Sequence, residues 1–143
     1  MESPELTVIF TASYKNVSIV AATVSGYARA CGFDEPGINQ VELCFSEAAN
    51  NIVQHAYGNA DNEKIQVDIY KERSALVLAL SDQGCATNSA VFDRQPDWDN
   101  LDPTDESTWD ENGRGVQLVK ELMDIVDYQS VDNKNTLLLK KYF

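Results

Sequence analysis

The stretch that decides the fold covers residues 46–57 and reads SEAANNIVQHAY. Glu47, Asn51 and His55 recur every four residues, so a helix would carry them on one face beside an apolar stripe. The amide oxygen of Asn51 is a hard ligand that suits Mg²⁺, which otherwise keeps waters and phosphates as ligands. Glu47, one turn earlier, is placed to orient or deprotonate a group that attacks a terminal phosphate. The same spacing also fits an amphipathic helix with a solvated polar face.

A second polar group follows an apolar strand. The run Ala75 to Ser81 is almost continuously apolar, and Asp82-Gln83-Gly84 comes directly after it. A carboxylate at a strand end can accept a hydrogen bond from an adenine amine, and a glycine two residues later lets the base approach the backbone. Asp and Gly after a strand are also ordinary turn residues, so this feature alone does not identify a site.

The third feature is the run NGRGV, residues 112–116, which leads into a helical pattern. Gly113 and Gly115 allow backbone N–H groups to face an anion, and the dipole of the following helix favours negative charge. Arg114 is a further donor to phosphate, or it covers the helix surface with its long side chain. Glycine near a helix start is also common in ordinary loops.

The apolar pattern predicts five strands and three helices. The strands are expected at 5–11, 64–70, 75–81, 125–130 and 136–142, and the helices at about 13–30, 36–57 and 113–124. Residues 71–74 and 131–135 are short enough for hairpin loops. Residues 83–112 have no period and predict a functional lid or a disordered segment. The element order predicts an α/β chain of the α+β type, a two-layer sandwich with a mixed, mostly antiparallel sheet and its helices on one face.

The charge of the chain limits its partners. The net charge is -12, and the segment from Asp93 to Glu111 alone holds eight acidic residues and one basic residue. We expect no direct binding to nucleic acid or to an anionic membrane, because phosphate groups are held mainly by Lys and Arg. A nucleotide still fits, provided that backbone dipoles and a metal supply positive potential locally.

Length and cysteine content add further expectations. The 143 residues suit a single domain that spans residues 1–143. The N-terminal apolar stretch is too short for a signal peptide or a membrane span, so we expect a soluble cytoplasmic protein. Three cysteines without a CxxC pair predict neither a disulfide framework nor a zinc site.

Together the three features resemble the N box and the two glycine boxes of the GHKL ATPases, the superfamily of gyrase B, histidine kinases and MutL. The matching patterns are Glu47-x-x-x-Asn51, Asp82-x-Gly84 and Gly113-x-Gly115, in the family's order and approximate spacing. The segments SEAANNIVQHAY and GRGVQLVKELMD are similar to those of one branch, the anti-sigma-factor serine-protein kinases. The resemblance extends over nearly the whole chain and implies the GHKL, or Bergerat, ATP-binding fold.

The resemblance implies a role for each matched residue. Asn51 would ligate Mg²⁺, Glu47 would be the catalytic base, and Asp82 would bind the adenine amine of ATP. The rest of the nucleotide pocket would be formed by Gly84, Gly113, Arg114 and Gly115.

Three further residues are placed by the resemblance. Thr136 looks like the family threonine that supports the adenine through water, although a threonine in a strand needs no such reason. Asn50 is a second candidate at the metal, but the family register favours Asn51. His55, the one histidine of the chain, lies inside the N box, so the chain has no separate histidine to accept a phosphate and His55 is expected to be structural or peripheral to the phosphates.

The branch implies an ATP- and Mg²⁺-dependent serine/threonine-protein kinase that acts as an anti-sigma factor in transcription regulation. It would phosphorylate a STAS-type anti-anti-sigma factor, bind a sigma factor in alternation, and form a homodimer. The alternative is a nucleotide-binding protein-interaction switch without kinase activity. The acidic segment 85–111, with Trp98 and Trp109, departs from the commoner family pattern. It would be a solvated segment, a lid that orders over ATP, or a docking surface for a basic partner.

Overall fold

The computed structural model describes residues 3–86 and 111–143, without the side chains of residues 111–114. These residues form five strands, three α-helices and one π-helical turn. In chain order they are β1 (Leu6–Thr11), α1 (Tyr14–Cys31), α2 (Glu35–Asn51), the π turn (Ile52–Ala56), β2 (Lys64–Lys71), β3 (Ala75–Asp82), α3 (Glu111–Leu122), β4 (Ile125–Val131) and β5 (Lys134–Tyr142). Within the described ranges no helix is long and apolar enough to cross a membrane.

The five strands form one sheet in the order β1-β2-β3-β5-β4, and every neighbouring pair is antiparallel. The predicted α+β sandwich is therefore confirmed, while the described sheet has no parallel pair. The connection through α3 carries the chain from β3 to the edge strand β4, which runs in the same direction as β3. The β4–β5 hairpin then inserts β5 between these two strands, so the parallel strands never become neighbours.

One face of the sheet packs against the helices and forms the core. Strand β2 alternates, with Ile65, Val67 and Ile69 fully buried against the helical layer. Helix α2 buries one stripe in the same cluster and contacts both α1 and α3. This layering fixes α2 in the middle of the helical layer, so the polar residues next to its buried stripe lie beside α3.

Local sequence signals explain where α1 and α2 begin and end. The Ser13 hydroxyl accepts a hydrogen bond from the Asn16 N–H at 3.2 Å, and the Asp34 carboxylate accepts one from the Gly37 N–H at 2.8 Å. Such N-caps satisfy donors that the first helical turn leaves free. Gly32 ends α1 with a φ of 100°, a conformation that glycine adopts without strain.

The hairpin between β4 and β5 is tighter than predicted. The sequence predicts a loop over residues 131–135, but the strands continue to Val131 and restart at Lys134. Asp132 and Asn133 have φ values of 53° and 62°, which is the pattern of a two-residue type I′ turn. The longer strand pairs Asn135 with Asp82 in the sheet register, which matters for the candidate site.

Gly26 provides a test of helix propensity in α1. A Cβ atom at this position would meet no atom within 4 Å, and the residue is exposed in the middle of the helix. We expect Gly26→Ala to raise the free energy of unfolding by about 1 kcal/mol, because alanine restricts the unfolded chain and favours the helix. Urea unfolding should show a higher midpoint with an unchanged m-value. A lower midpoint would contradict the open surroundings of Gly26.

Candidate functional site

Helix α2 and helix α3 bring the predicted N box and second glycine box together. A Cβ atom built on Gly115 would lie 3.0 Å from Glu47 Oε2 and 3.1 Å from Asn51 Nδ2. Glu47 and Asn51 are both half-buried, whereas Gly115 is buried. The absence of a side chain at Gly115 therefore leaves room for the carboxylate and the carboxamide on the facing helix.

Helix α3 begins two residues earlier than predicted, at Glu111, so Gly113 and Gly115 lie within its first two turns. The first four N–H groups of a helix have no partner inside the helix and favour an anion at this end. The side chain of Arg114, a predicted phosphate donor, lies outside the described part of the chain. At the other end, Lys141 Nζ donates to the carbonyl of Leu122 at 2.8 Å and stabilises the helix C-terminus.

The predicted helix over residues 36–57 changes form after Asn51. Residues Ile52–Ala56 make a π turn, in which the Tyr57 N–H donates to the Ile52 carbonyl at 3.0 Å. A π turn contains more residues than an α-helical turn. His55 therefore no longer lies on the helix face that carries Glu47 and Asn51. Its side chain is exposed. The π turn was not predicted, because its residues read as ordinary helix.

The first glycine box packs directly on the end of the π turn. The Cys85 N–H donates to the Ala56 carbonyl at 2.8 Å. A Cβ atom at Gly84 would lie 2.3 Å from the same carbonyl oxygen, which no real contact allows. Glycine is required at position 84 because the two backbones approach closely. The sequence suggested a different reason for this glycine, namely access of the base to the backbone. All three predicted boxes are thus attached to one helical segment, residues 35–56.

Asp82 lies at the end of β3, on the face that carries the helices. Its side chain is 6% exposed, and its Oδ1 accepts hydrogen bonds from Asn135 Nδ2 at 2.8 Å and from the Gly84 N–H at 2.9 Å. Its Oδ2 has no hydrogen-bond partner among the residues that the structure describes. Burial raises the pKa of this carboxyl above its ordinary 3.8, and the two hydrogen bonds offset part of that shift.

The structure places Asn135, and not Thr136, beside Asp82. Thr136 pairs with Ser81, and their hydroxyl oxygens are 3.4 Å apart on the sheet face opposite the helices. Successive side chains of a strand alternate between faces, so only one of the two residues can point to Asp82. Sequence reasoning missed Asn135 because the loop was predicted to include it. The dipeptide Asp132-Asn133 suits a two-residue turn, and such a turn would have placed Asn135 in the strand.

Tyr57 is a second residue that sequence reasoning did not single out. Its hydroxyl donates to the Lys64 carbonyl at 2.5 Å and accepts from the Gln83 N–H at 3.0 Å. It therefore ties the end of the π turn to the start of β2 and to the Asp82 loop. The pKa of Tyr57 is raised, mainly because its ring is partly buried.

The donor set beside Gly115 fits Mg²⁺ better than a transition metal. Its metal ligand would be the amide oxygen of Asn51, and Mg²⁺ prefers such oxygen ligands together with phosphates and water. No group of three His, Cys, Asp or Glu side chains suited to a metal occurs in residues 3–86 or 115–143. The neighbouring Asn50 Oδ1 is buried and has no partner within those residues.

A cavity of about 410 Å³ lies elsewhere, between the α1–α2 turn and the end of β5. It is lined by Gly32, Phe33, Asp34, Pro36, Gly37, Gln40, Lys141, Tyr142 and Phe143. None of the predicted site residues borders it, and the rings of Phe33 and Phe143 stack edge to face beside it. Most of the predicted lid, residues 87–110 with Trp98 and Trp109, lies outside the described residues.

Comparison with known proteins agrees with this geometry. The family model described as "Histidine kinase-like ATPase domain" matches residues 10–141. The serine-protein kinase RsbW of Bacillus licheniformis is 34% identical over 134 residues, which cover 88% of this chain and 78% of that protein. RsbW of Halalkalibacterium halodurans is 30% identical over 145 residues, with coverage of 99% and 83%.

A solved structure shares the fold at low sequence identity. It belongs to the SiaB–SiaC complex of Pseudomonas aeruginosa and has a TM-score of 0.60 at 13% identity, covering 95% of this chain and 89% of that one. The resemblance inferred from the three boxes is thereby confirmed over almost the whole chain. The protein belongs to the histidine kinase-like (GHKL) ATPase family, in the branch that contains the RsbW serine-protein kinases.

Proposed function

We propose that the protein is an ATP- and Mg²⁺-dependent serine-protein kinase that acts as an anti-sigma factor. The observation that carries this proposal is the attachment of three boxes to one helical segment, with Gly115 facing Glu47 and Asn51 and Gly84 seated on Ala56. ATP binding follows from the family, and the kinase step is supported by the RsbW relatives. We further propose that residues 1–143 act as one domain.

The base of the nucleotide would be bound at the end of β3. Asp82 Oδ2 would accept a hydrogen bond from the exocyclic amine of adenine. Gly84 lets the Asp82 loop pack directly on the Ala56 carbonyl, which would hold the carboxylate beside the base. Tyr57 holds the Asp82 loop in place through its hydrogen bond from the Gln83 N–H.

The phosphates would lie at the start of α3. Its first N–H groups, including that of Gly113, would face the anion, and Arg114 would add a charged donor. Gly115 would leave room in the pocket beside Glu47 and Asn51. Asn51 Oδ1 would hold Mg²⁺, which neutralises negative charge on the phosphates when it is bound. These positive contributions are needed, because the chain carries a net charge of -12.

Glu47 would act on the incoming serine of the protein substrate. Its carboxylate would accept the hydroxyl proton and orient the oxygen towards the terminal phosphate. Glu47 and Asn51 lie one helical turn apart, so the base and the metal ligand would lie on the same side of the terminal phosphate. Thr136 lies on the other sheet face, so we assign it no direct part in the transfer of the phosphoryl group.

The proposed substrate is a STAS-type anti-anti-sigma factor, and the proposed second partner is a sigma factor. Phosphorylation adds about 1.5 to 2 negative charges to the substrate serine at neutral pH. An acidic kinase surface would then repel the product, which leaves the kinase free to bind sigma. We place this partner switch in the cytoplasm and propose that the kinase acts as a homodimer.

The experiment that tests the proposal is phosphoryl transfer to a protein substrate. The protein is incubated with γ-labelled ATP, Mg²⁺ and the STAS protein encoded nearest to it. We expect label on a serine of the STAS protein, and none when Mg²⁺ is removed with EDTA. ATP binding without any transfer to serine would reject the kinase and leave a nucleotide-binding switch as the function.

The raised pKa of Asp82 gives a pH dependence with a definite sign. The ionised carboxylate is a stronger acceptor for the adenine amine than the protonated carboxyl group, so we expect ATP affinity to rise with pH from about 4 until Asp82 is ionised in the free protein. The free energy of unfolding of the ligand-free protein changes with pH in the opposite direction. The raised pKa of Asp82 contributes stability that is fully present below the unfolded-state pKa of 3.8 and is lost as pH rises through the pKa of Asp82 in the folded protein.

Titration calorimetry of ATP across this pH range tests the sign. Asp82→Asn is the control, because it retains the titration of the phosphates and lacks the carboxyl. We expect the wild-type protein to show an additional rise in affinity that the variant lacks. Parallel pH profiles of the two proteins would contradict the role of Asp82.

A further inference from the structure

Asn135 is a buried polar residue that forms three hydrogen bonds beside the candidate site. It is 2% exposed and lies on the helix-facing side of β5. Its Nδ2 donates to Asp82 Oδ1 at 2.8 Å and to the Gly84 carbonyl at 3.0 Å, and its Oδ1 accepts from Ser130 Oγ at 2.7 Å. Both amide hydrogens and the amide oxygen are therefore engaged.

These contacts determine the orientation of the Asp82 carboxylate. Asp82 Oδ1 accepts from Asn135 and from the Gly84 N–H, and two donors fix the plane of a carboxylate. Asp82 Oδ2 is left as the oxygen that a ligand can reach with a donor. Asn135 also binds the Gly84 carbonyl, so the same carboxamide sets the distance between the carboxylate and the glycine loop.

We propose that Asn135 is a positioning residue that sets the nucleobase selectivity of the site. The inference rests on the proposed function and adds the discrimination between 6-amino and 6-oxo purines. An adenine amine donates to Asp82 Oδ2, whereas the 6-oxo group of hypoxanthine would place an acceptor against a carboxylate. A carboxylate free to rotate discriminates less, because it can turn its oxygens away from the 6-oxo group.

The requirements at this position explain why an amide is suitable. The residue must donate twice, to Asp82 and to Gly84, and accept once, from Ser130. A carboxylate cannot donate, and a hydroxyl has a single hydrogen. Gln129 on β4 is exposed and pairs with Thr136, so it lies on the opposite side of the sheet from Asn135 and provides a matched control with the same amide group.

The test is the ratio of dissociation constants for ITP and ATP, measured by titration calorimetry with Mg²⁺. ITP differs from ATP at the 6-position of the purine, where an oxo group replaces the amine, and at N1, which carries a hydrogen in ITP. We expect the wild-type protein to prefer ATP by about 30-fold or more, the order of a hydrogen bond to a charged group. Asn135→Leu should lower this preference by about tenfold, Ser130→Ala by about two- to threefold, and Gln129→Leu by less than twofold.

Each outcome has a separate meaning. Ser130→Ala leaves the Asn135 side chain in place and removes one restraint, so it carries the test if Asn135→Leu does not fold, as judged by circular dichroism. An unchanged ratio in the folded variants, with ATP bound by the wild type, overturns the role of Asn135 alone. Failure of the wild type to bind either nucleotide overturns the proposed function instead.

Discussion

Replacing Glu47 with glutamine is expected to reduce the rate of phosphoryl transfer by about 100-fold or more, which is the usual contribution of a general base. Glutamine has nearly the same size, so it keeps the contact with Gly115 and cannot accept the serine proton. The dissociation constant for ATP should change by less than about twofold, because Glu47 acts on the incoming hydroxyl. Single-turnover transfer and calorimetry on the same preparation measure the two quantities.

Glu35→Gln is the matched control for this substitution. Glu35 lies on the same helix, is exposed, and forms an ion pair with Arg29, so the change removes the same charge far from Gly115. We expect wild-type transfer rates from it. A normal rate in Glu47→Gln, or an equal loss in both variants, would show that Glu47 is not the base.

Replacing Gly84 with alanine is expected to be the most destabilising of the single substitutions considered. The added Cβ would lie 2.3 Å from the Ala56 carbonyl oxygen, and neither backbone has a flexible side chain that can yield. Overpacking of this kind typically costs about 1–3 kcal/mol, and we expect a value near the upper end. Because the Cys85–Ala56 hydrogen bond would be strained as well, ATP affinity should fall together with stability.

Gly26→Ala is the control, because it is the same chemical change at a site with open space. The two variants should move the urea midpoint in opposite directions, Gly26→Ala upwards and Gly84→Ala downwards. Saturating ATP should recover less stability in Gly84→Ala than in the wild type. Equal midpoints for Gly84→Ala and the wild type would mean that the two backbones are not in contact as described.

The sequence was sufficient for α1, for most of α2 and for the shared face of Glu47 and Asn51, because these signals are local. The caps at Ser13, Asp34 and Gly32 are short-range hydrogen bonds and conformations that residue type alone predicts. The spacing of Glu47 and Asn51 survives in the structure because both lie in the regular part of α2. These features need no knowledge of the rest of the chain.

The remaining features depend on contacts that local patterns do not report. The π turn provides the free Ala56 carbonyl that binds the Cys85 N–H, a contact between residues far apart in the sequence. The position of Asn135 depends on the register of β5 against β3, and a shift of one residue exchanges it with Thr136. Sequence reasoning therefore singled out Thr136, whereas Asn135 is the residue that contacts Asp82.

The most direct test of an ATP site formed by these three boxes is the melting temperature with and without ATP and Mg²⁺. A ligand that binds only the folded protein at 100 times its dissociation constant stabilises it by about 2.7 kcal/mol. We therefore expect the melting temperature of the wild-type protein to rise by about 9 °C, given an unfolding entropy of about 2.1 cal/mol/K per residue, and a much smaller rise for Asp82→Asn. An unchanged melting temperature of the wild-type protein at saturating ATP and Mg²⁺ would contradict the site.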